Sequence, residues 1–251
     1  DEAAYHFMLL ARDETGYQNL IKLVSLGYLE GFYYRPRIDK EMLSQYQKGL
    51  IGLTACLKGE IPSLLQQRRF NDALKAADDF SNILGKDNFY LELQQNLIPE
   101  QKIVNEGLIK LAKELNLPLI ATNDVHYLSK EGARSHEVML CIQTQTTLND
   151  PNRLRFQTDE FYFKSPQEMR ELFKDTPEAI TNTMEVAGRC NLELDFSKVH
   201  LPKYEAPAGK TKEEFLRGLC ELGLKEKFPQ AVSSIEERLG HELRIIKDMG
   251  F

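Results

Sequence analysis

Early in the chain, an apolar run reads Gly49-Leu-Ile-Gly-Leu-Thr-Ala55, and a helix opens soon after it at residues 58–62. The run predicts a buried strand. Other runs of the same character occur at residues 5–11, 88–94 and 118–122, and each is followed by a helical pattern. Strands that alternate with helices of this length indicate parallel β/α units, which close into a barrel or stack as an open sheet.

After about residue 126 the pattern becomes mostly helical. The stretch 201–209 contains Pro and Gly, breaks both strand and helix periodicity, and predicts a linker. Two further helices are predicted beyond it, at 211–228 and 234–249. We therefore expect one unit over residues 1–195 and another over residues 196–251. On the last helix we expect exposed apolar side chains at Ile235, Leu239, Leu243 and Ile246.

The composition is that of a folded protein, with 42% hydrophobic and 28% charged residues and a formal net charge of -6. This acidic balance does not favour a free-standing nucleic-acid binder.

The four cysteines are widely spaced, which predicts reduced thiols and a cytoplasmic location. No apolar run has the length of a membrane-spanning helix, and the motifs of phosphate loops, dinucleotide sites and serine hydrolases are absent. The chain opens without Met, so we interpret it as a piece of a longer protein.

The clearest chemical signal in the sequence is Ala121-Thr-Asn-Asp-Val-His-Tyr127, at the end of a predicted strand. Side chains two residues apart on an extended segment point the same way, so Asp124 and His126 converge on one spot. A carboxylate and an imidazole are suitable ligands for Zn²⁺, Mn²⁺ or Fe. The alternative is an Asp that caps a turn beside a hydrogen-bonded His.

Three further side chains lie on or just after predicted strands. His6 is expected inside the first strand, where the alternative is a structural histidine, and Cys56 directly follows the second, where the alternative is a small buried hydrophobe. Parallel strands converge at one rim of a barrel, so these two residues become candidates together with Asp124 and His126. Glu92 could face the same rim, but we expect it to form an ion pair. His136, His200 and His241 are interpreted as surface or packing residues.

Several long motifs resemble the bacterial DNA polymerase III alpha subunit family, in the same order and at about the same spacing. They include Leu10-Ala-Arg-Asp-Glu-Thr-Gly-Tyr-Gln-Asn-Leu20, the segment 49–61, Phe89-Tyr-Leu-Glu-Leu-Gln94 and the segment 121–127. Later segments, at 163–173, 179–190 and 249–251, continue the resemblance. It therefore covers essentially the whole chain.

This resemblance implies an α/β fold: part of a (β/α)7 barrel of the PHP (polymerase and histidinol phosphatase) type. A mainly helical extension then leads into the polymerase palm. Residues 1–195 would be the later part of the PHP domain, and residues 196–251 a linker and the start of the palm. His6, Cys56, Asp124 and His126 match metal ligands of the later strands. In the intact domain the resemblance implies Zn²⁺ or Mn²⁺ at this site, and in some bacteria the site carries 3′–5′ exonuclease activity.

The departures from the family pattern are also informative. The family's opening His-x-His segment and its early acidic ligands are missing, and no Asp-x-Asp of the palm occurs in the chain. The Mg²⁺ ions of the palm would therefore be held outside this chain, which we expect to be inactive alone. The implied partners of the intact subunit are DNA primer–template and the proofreading and sliding-clamp subunits. Two alternatives remain: a free-standing phosphoesterase related to histidinol phosphatase, and a scaffold that docks a proofreading subunit.

Overall fold

The computed structural model describes residues 4–197, 201–202, 204–230 and 233–250. Its strands are β1 (Met8–Ala11), β2 (Leu50–Leu53), β3 (Phe89–Leu93) and β4 (Leu119–Ala121). Its helices are α1 (Glu14–Leu29), α2 (Lys40–Gln45), α3 (Glu60–Gln66), α4 (Phe70–Leu84), α5 (Pro99–Leu115), α6 (Gly132–Gln143), α7 (Pro166–Leu172), α8 (Pro177–Arg189), α9 (Lys212–Lys227) and α10 (Ser233–Asp248). The mixed α/β class predicted from the sequence is confirmed. The last residue of the 249–251 motif, Phe251, lies outside the described residues.

The four strands form one sheet in the order β1-β2-β3-β4. β2 and β3 are parallel, as are β3 and β4, but β1 runs antiparallel to β2, with Met8 opposite Leu53 and Ala11 opposite Leu50. The prediction that all four strands are parallel is therefore wrong for β1. A short apolar run has the same composition whichever way it runs, so its direction depends on its partner strand.

Helices cover both faces of this sheet. Leu91 and Leu93 belong to the larger core cluster, to which α3, α4 and α5 contribute. Tyr90 and Ile120 belong to a second cluster with Val186 of α8. This double burial explains why β2 and β4 are continuous apolar runs and why Glu92 is the one charged residue of β3. Because alternate side chains point to opposite faces, Glu92 lies on the same face as Tyr90.

Aromatic rings anchor the chain just before β1. The ring of Phe7 stacks on Phe80 of α4 with centroids 4.4 Å apart, and on Phe89 of β3 at 6.2 Å. Phe89 is fully buried. The anchor therefore fixes the residue that directly follows His6.

The chain divides into two compact units, residues 1–194 and 195–251. In the second unit, α9 begins with a capping box in which Thr211 and Glu214 exchange hydrogen bonds, and Lys247 of α10 lies 3.1 Å from Glu213. The expected exposure of apolar side chains on α10 is correct for Ile246, which is 37% exposed, and wrong for Leu243, which is buried. The assignment of the two units to two domains stays a prediction.

Candidate metal site at the sheet edge

His6 and Cys56 meet at the edge where β2, β3 and β4 end. His6 lies before β1 and not inside it, and because β1 is antiparallel its start lies at this edge. The backbone N–H of His6 donates to the carbonyl of Lys58 at 3.0 Å. The imidazole Nδ1 lies 3.6 Å from the Cys56 thiol. The two residues come together as expected, but through the reversed direction of β1.

A tight loop, residues 54–59, presents the Cys56 thiol. Ala55 has a left-handed backbone with φ of 60°, a conformation that is uncommon for residues other than glycine. The N–H of Gly59 donates to the carbonyl of Cys56 at 2.8 Å. A Cβ at Gly59 would lie 2.1 Å from the carbonyl oxygen of Thr54, so the close turn requires glycine here. The position of Cys56 is therefore set by the backbone of this loop.

The carboxylate of Glu92 is hydrogen-bonded to this loop. The carboxylate accepts hydrogen bonds from the N–H of Ala55 at 2.9 Å, from Gln94 at 3.2 Å and from the hydroxyl of Thr122. The side chain is buried, and in the part of the chain that the structure describes no lysine or arginine pairs with it. The expected ion pair is therefore wrong. The threonine that follows β4, Thr122, is the sequence signal for a hydrogen-bonded carboxylate, since its hydroxyl donates to Glu92. The threonine that follows β2, Thr54, accepts from the backbone N–H of Glu92.

Burial is the main electrostatic influence at this edge. It raises the pKa of the Glu92 carboxyl above its ordinary value, although the hydrogen bonds from Thr122, Gln94 and Ala55 act in the opposite direction. Burial likewise raises the pKa of the Cys56 thiol, and the negative charge of Asp124 raises it further. The thiol is therefore a protonated neighbour of His6 at neutral pH, and a bound cation would favour its thiolate.

Asp124 and His126 form a second pair in the loop after β4. Asp124 has a left-handed backbone with φ of 49°, and its Oδ1 lies 3.4 Å from the Nε2 of His126. The N–H of His126 donates to the carbonyl of Phe161 at 2.8 Å. Because the Asp124 backbone is left-handed, the loop is not a continuation of the strand. The pairing therefore does not arise from the extended geometry assumed in the sequence analysis.

The ring of His126 belongs to an aromatic cluster. It meets Phe156 edge-on with centroids 4.7 Å apart and Phe161 at 5.5 Å, and His136 lies 5.6 Å away. Burial and the neighbouring His126 lower the pKa of His136. His136 therefore packs in this cluster, in keeping with its interpretation as a packing residue.

The four candidates form two pairs in loops at one edge of the sheet. The negative charge of Asp124 raises the pKa of both the Cys56 thiol and the Glu92 carboxyl. Among the described residues, no three His, Cys, Asp or Glu side chains form a ready-made metal-binding group. Imidazole, thiolate and carboxylate are suitable donor types for Zn²⁺. The chain thus supplies donors of the right chemistry, arranged two by two.

The reactivity of Cys56 tests this electrostatic description. We expect Asp124→Asn to accelerate labelling of Cys56 by a disulfide reagent at pH 7.5 by about threefold, since losing the carboxylate charge lowers the thiol pKa. The measurement uses a background in which Cys56 is the only cysteine, with Cys141, Cys190 and Cys220 replaced by alanine or serine. The matched control is Asp159→Asn, on an exposed segment. Equal labelling rates in the Asp124 variant and the parent would contradict the coupling.

Comparisons with known proteins agree with the sequence motifs. Residues 1–96 match the PHP domain family, a range that includes His6 and Cys56 and ends before Asp124. The chain is 46% identical to DNA polymerase III subunit alpha of Borreliella burgdorferi over 250 residues, or 99% of this chain and 22% of that protein. It is 42% identical to the subunit of Treponema pallidum over 98% of this chain and 21% of that protein. It is 44% identical to the subunit of Thermus aquaticus over 93% of this chain and 20% of that protein.

These findings place residues 1–96, in which His6 and Cys56 meet at the sheet edge, in the class of PHP domains. The chain belongs to the DNA polymerase III alpha subunit family, as a segment of that longer protein. It spans about a fifth of the length of the curated relatives it matches.

Proposed function

We propose that this chain is the PHP-containing segment of a DNA-directed DNA polymerase, and that its sheet edge supplies part of a divalent-metal site for phosphodiester hydrolysis. The observation that carries the proposal is the meeting of His6 and Cys56, 3.6 Å apart, with Asp124 close enough to influence the thiol. In the part of the chain that the structure describes, these three side chains belong to neither of the apolar clusters that pack on the sheet. Metal binding gives these three side chains a common role.

His6, Cys56, Asp124 and His126 would hold Zn²⁺ or Mn²⁺ in the intact PHP domain. The bound metal would supply a hydroxide nucleophile at neutral pH and neutralise charge on the phosphate. The remaining ligands would come from segments outside this chain, which would also complete a (β/α)7 barrel. His126 is held by its aromatic neighbours, and Cys56 by the loop that Glu92 supports, so both side chains are positioned before a metal arrives.

The second unit, residues 195–251, is proposed to be the linker and the start of the palm. Its helices carry exposed apolar side chains: Leu219 and Leu222 on α9, and Ile245 on α10. Burial of such side chains is favourable, so further parts of a polymerase are suitable partners for these helices. The catalytic Mg²⁺ ions of DNA synthesis would be bound elsewhere in the palm.

The wider assignment follows from the relatives, which are polymerase subunits by name. We propose that the intact protein acts on DNA primer–template in the cytoplasm, together with proofreading and sliding-clamp subunits. No helix in the described residues is long and apolar enough to cross a membrane. A scaffold role for the PHP unit, which would dock a proofreading subunit, is compatible with this assignment.

The test uses the intact polymerase subunit that contains this segment. Release of nucleotides from a 3′-labelled single strand should require Zn²⁺ or Mn²⁺, and His6→Ala and Asp124→Asn should each reduce it by at least about tenfold together with the bound-metal content. DNA synthesis should continue in both variants, because the palm lies outside this site. His241→Ala, in the second unit, is the matched control.

Two results would contradict the proposal. One is an intact subunit whose metal content and nucleotide release do not change in either variant. The other is metal-dependent release of 3′ nucleotides by the present chain alone, which we expect to be inactive because its donors meet only in pairs. Release by the isolated chain that is abolished by Asp124→Asn would show that the catalytic residues are all contained in it.

A further inference from the structure

An exposed aromatic loop lies between α1 and α2. Three consecutive rings protrude from it: Phe32 is 56% exposed, Tyr33 62% and Tyr34 84%. Tyr28, at the end of α1, stacks on Phe32 with centroids 6.2 Å apart and is itself 60% exposed. Burial of large aromatic side chains is favourable, so a contiguous group of exposed rings marks an interaction surface. We call residues 28–37 the aromatic loop.

The backbone holds these rings outward. The N–H of Arg37 donates to the carbonyl of Gly31 at 3.2 Å, and the N–H of Tyr33 donates to that of Arg35 at 3.1 Å. A Cβ at Gly31 would lie 1.9 Å from the carbonyl oxygen of Arg37, so only glycine permits this close return of the chain. Tyr34 has a left-handed backbone with φ of 60°, which is uncommon for a bulky residue. The loop is thus a closed turn that presents rings at its tip.

Two cations accompany the rings. Among the described residues, neither Arg35 nor Arg37 forms an ion pair or a side-chain hydrogen bond, and the Arg37 guanidinium lies 5.1 Å from the centre of the Tyr33 ring. Lys40 nearby is already engaged, since its Nζ lies 3.0 Å from Glu60 and 3.5 Å from Asp79. The free positive charge beside the rings therefore belongs to the two arginines.

The tip of the loop carries positive charge only. Residues 31–38 include Arg35 and Arg37 and no acidic residue. Glu30 and Asp39 flank this stretch, with Asp39 capping α2 at the N–H of Met42, and Glu60 and Asp79 lie beside Lys40. The two guanidinium groups at the tip favour an anionic ligand there.

One cavity borders both the aromatic loop and the candidate metal site. Arg37 and His6 line the same cavity, of about 1070 Å³, together with Phe7 and Lys40. A strand whose phosphate lay at Arg37 would therefore be at the wall of the cavity that His6 also lines.

We propose that the aromatic loop is a stacking platform for single-stranded nucleic acid, in which bases stack on Tyr33 and Tyr34 and the guanidinium of Arg35 binds phosphate. Unpaired bases expose flat faces that match exposed rings, and phosphates match the free arginines. A duplex keeps its bases stacked inside and offers the rings only its edges. The suggestion that the strand runs on to His6 rests on the proposed function, whereas the platform rests on the loop alone.

Fluorescence anisotropy of a labelled twelve-residue deoxythymidine strand tests the platform, with the full chain in EDTA so that hydrolysis plays no part. Tyr34→Gly removes a ring and suits the left-handed backbone, so the turn should persist. We expect Tyr34→Gly and Arg35→Ala each to raise the Kd about tenfold. Raising salt from about 50 to about 200 mM should weaken binding of the parent.

The controls are Phe163→Ala, which removes another ring that is 67% exposed, and Arg170→Ala, which removes an exposed arginine of α7. Both should leave the Kd unchanged. The proposal is overturned if the parent does not bind the strand at low salt, if the control variants weaken binding as much as the loop variants, or if a blunt duplex competes as well as the single strand. Because no metal is present, these outcomes are independent of whether the sheet edge hydrolyses phosphodiesters.

Discussion

Glu92→Ala is expected to lower the free energy of unfolding by about 3 kcal/mol at pH 7. The substitution leaves two donors without their acceptor, the N–H of Ala55 and the hydroxyl of Thr122, while the amide of Gln94 keeps the Thr122 oxygen as its acceptor. Each buried donor left unpaired costs about 1–3 kcal/mol, and relief of the buried carboxylate offsets part of the sum. Urea denaturation followed by far-UV circular dichroism measures the change. Cys56 should also label faster, because its loop loses the contact at Ala55.

Glu106→Ala is the matched control, since Glu106 is an exposed glutamate on α5. Its effect should stay within about 0.5 kcal/mol. If Glu92→Ala were as mild as this control, the carboxylate would not be supporting the loop that presents Cys56.

The pH dependence of Glu92→Gln adds a second measurement on the same side chain. Burial raises the folded-state pKa of Glu92 above its ordinary value of 4.5. At pH values between the ordinary pKa and the raised folded-state pKa, the folded state binds more protons than the unfolded state. The stability of the parent therefore falls as pH rises from one pKa to the other. The glutamine variant does not titrate there, so its stability relative to the parent should rise over the same window. A constant difference from pH 4.5 to pH 7 would contradict the raised pKa.

Phe89→Ala is expected to have the largest effect on stability, a loss of about 4 kcal/mol. The ring is fully buried and lies against Phe7 and Phe80, with the Phe80 centroid 5.7 Å away. Its removal leaves a cavity between α4 and the sheet and withdraws support from Phe7, which directly follows His6. Urea denaturation measures the loss, and labelling of Cys56 reports how far the disturbance reaches the candidate site.

Phe89→Leu should cost about 1.5 kcal/mol, because most of the buried volume is kept. The surface control Phe163→Ala should change stability by less than about 0.5 kcal/mol. A loss in Phe89→Ala no greater than in Phe89→Leu would mean that the Phe7, Phe80 and Phe89 rings do not anchor the chain before β1.

Part of the candidate site was predictable because it depends on neighbours in the sequence. The run before Thr54 and the run before Thr122 predict strands, so Cys56 and Asp124 are expected just beyond strand ends. The helix α7 is equally local, since Ser165 caps it and Pro166 occupies its first position. The class of the fold, most of its helices and the edge on which the later candidates lie follow from such patterns, but α2 was not predicted.

The amino-acid sequence by itself determined the α/β class, most of the helices, the motifs of the family and the types of donor that the chain can offer. Tertiary structure decided the reversed direction of β1. Because of this reversal, the start of β1, and with it His6, lies at the edge where the other three strands end. Tertiary structure also decided the burial of Glu92, whose partners Ala55 and Thr122 lie 37 and 30 residues away along the chain. The physical reason is that strand periodicity records only which side chains are buried. The direction of a strand and the partners of a buried carboxylate depend on residues that only the folded chain brings together.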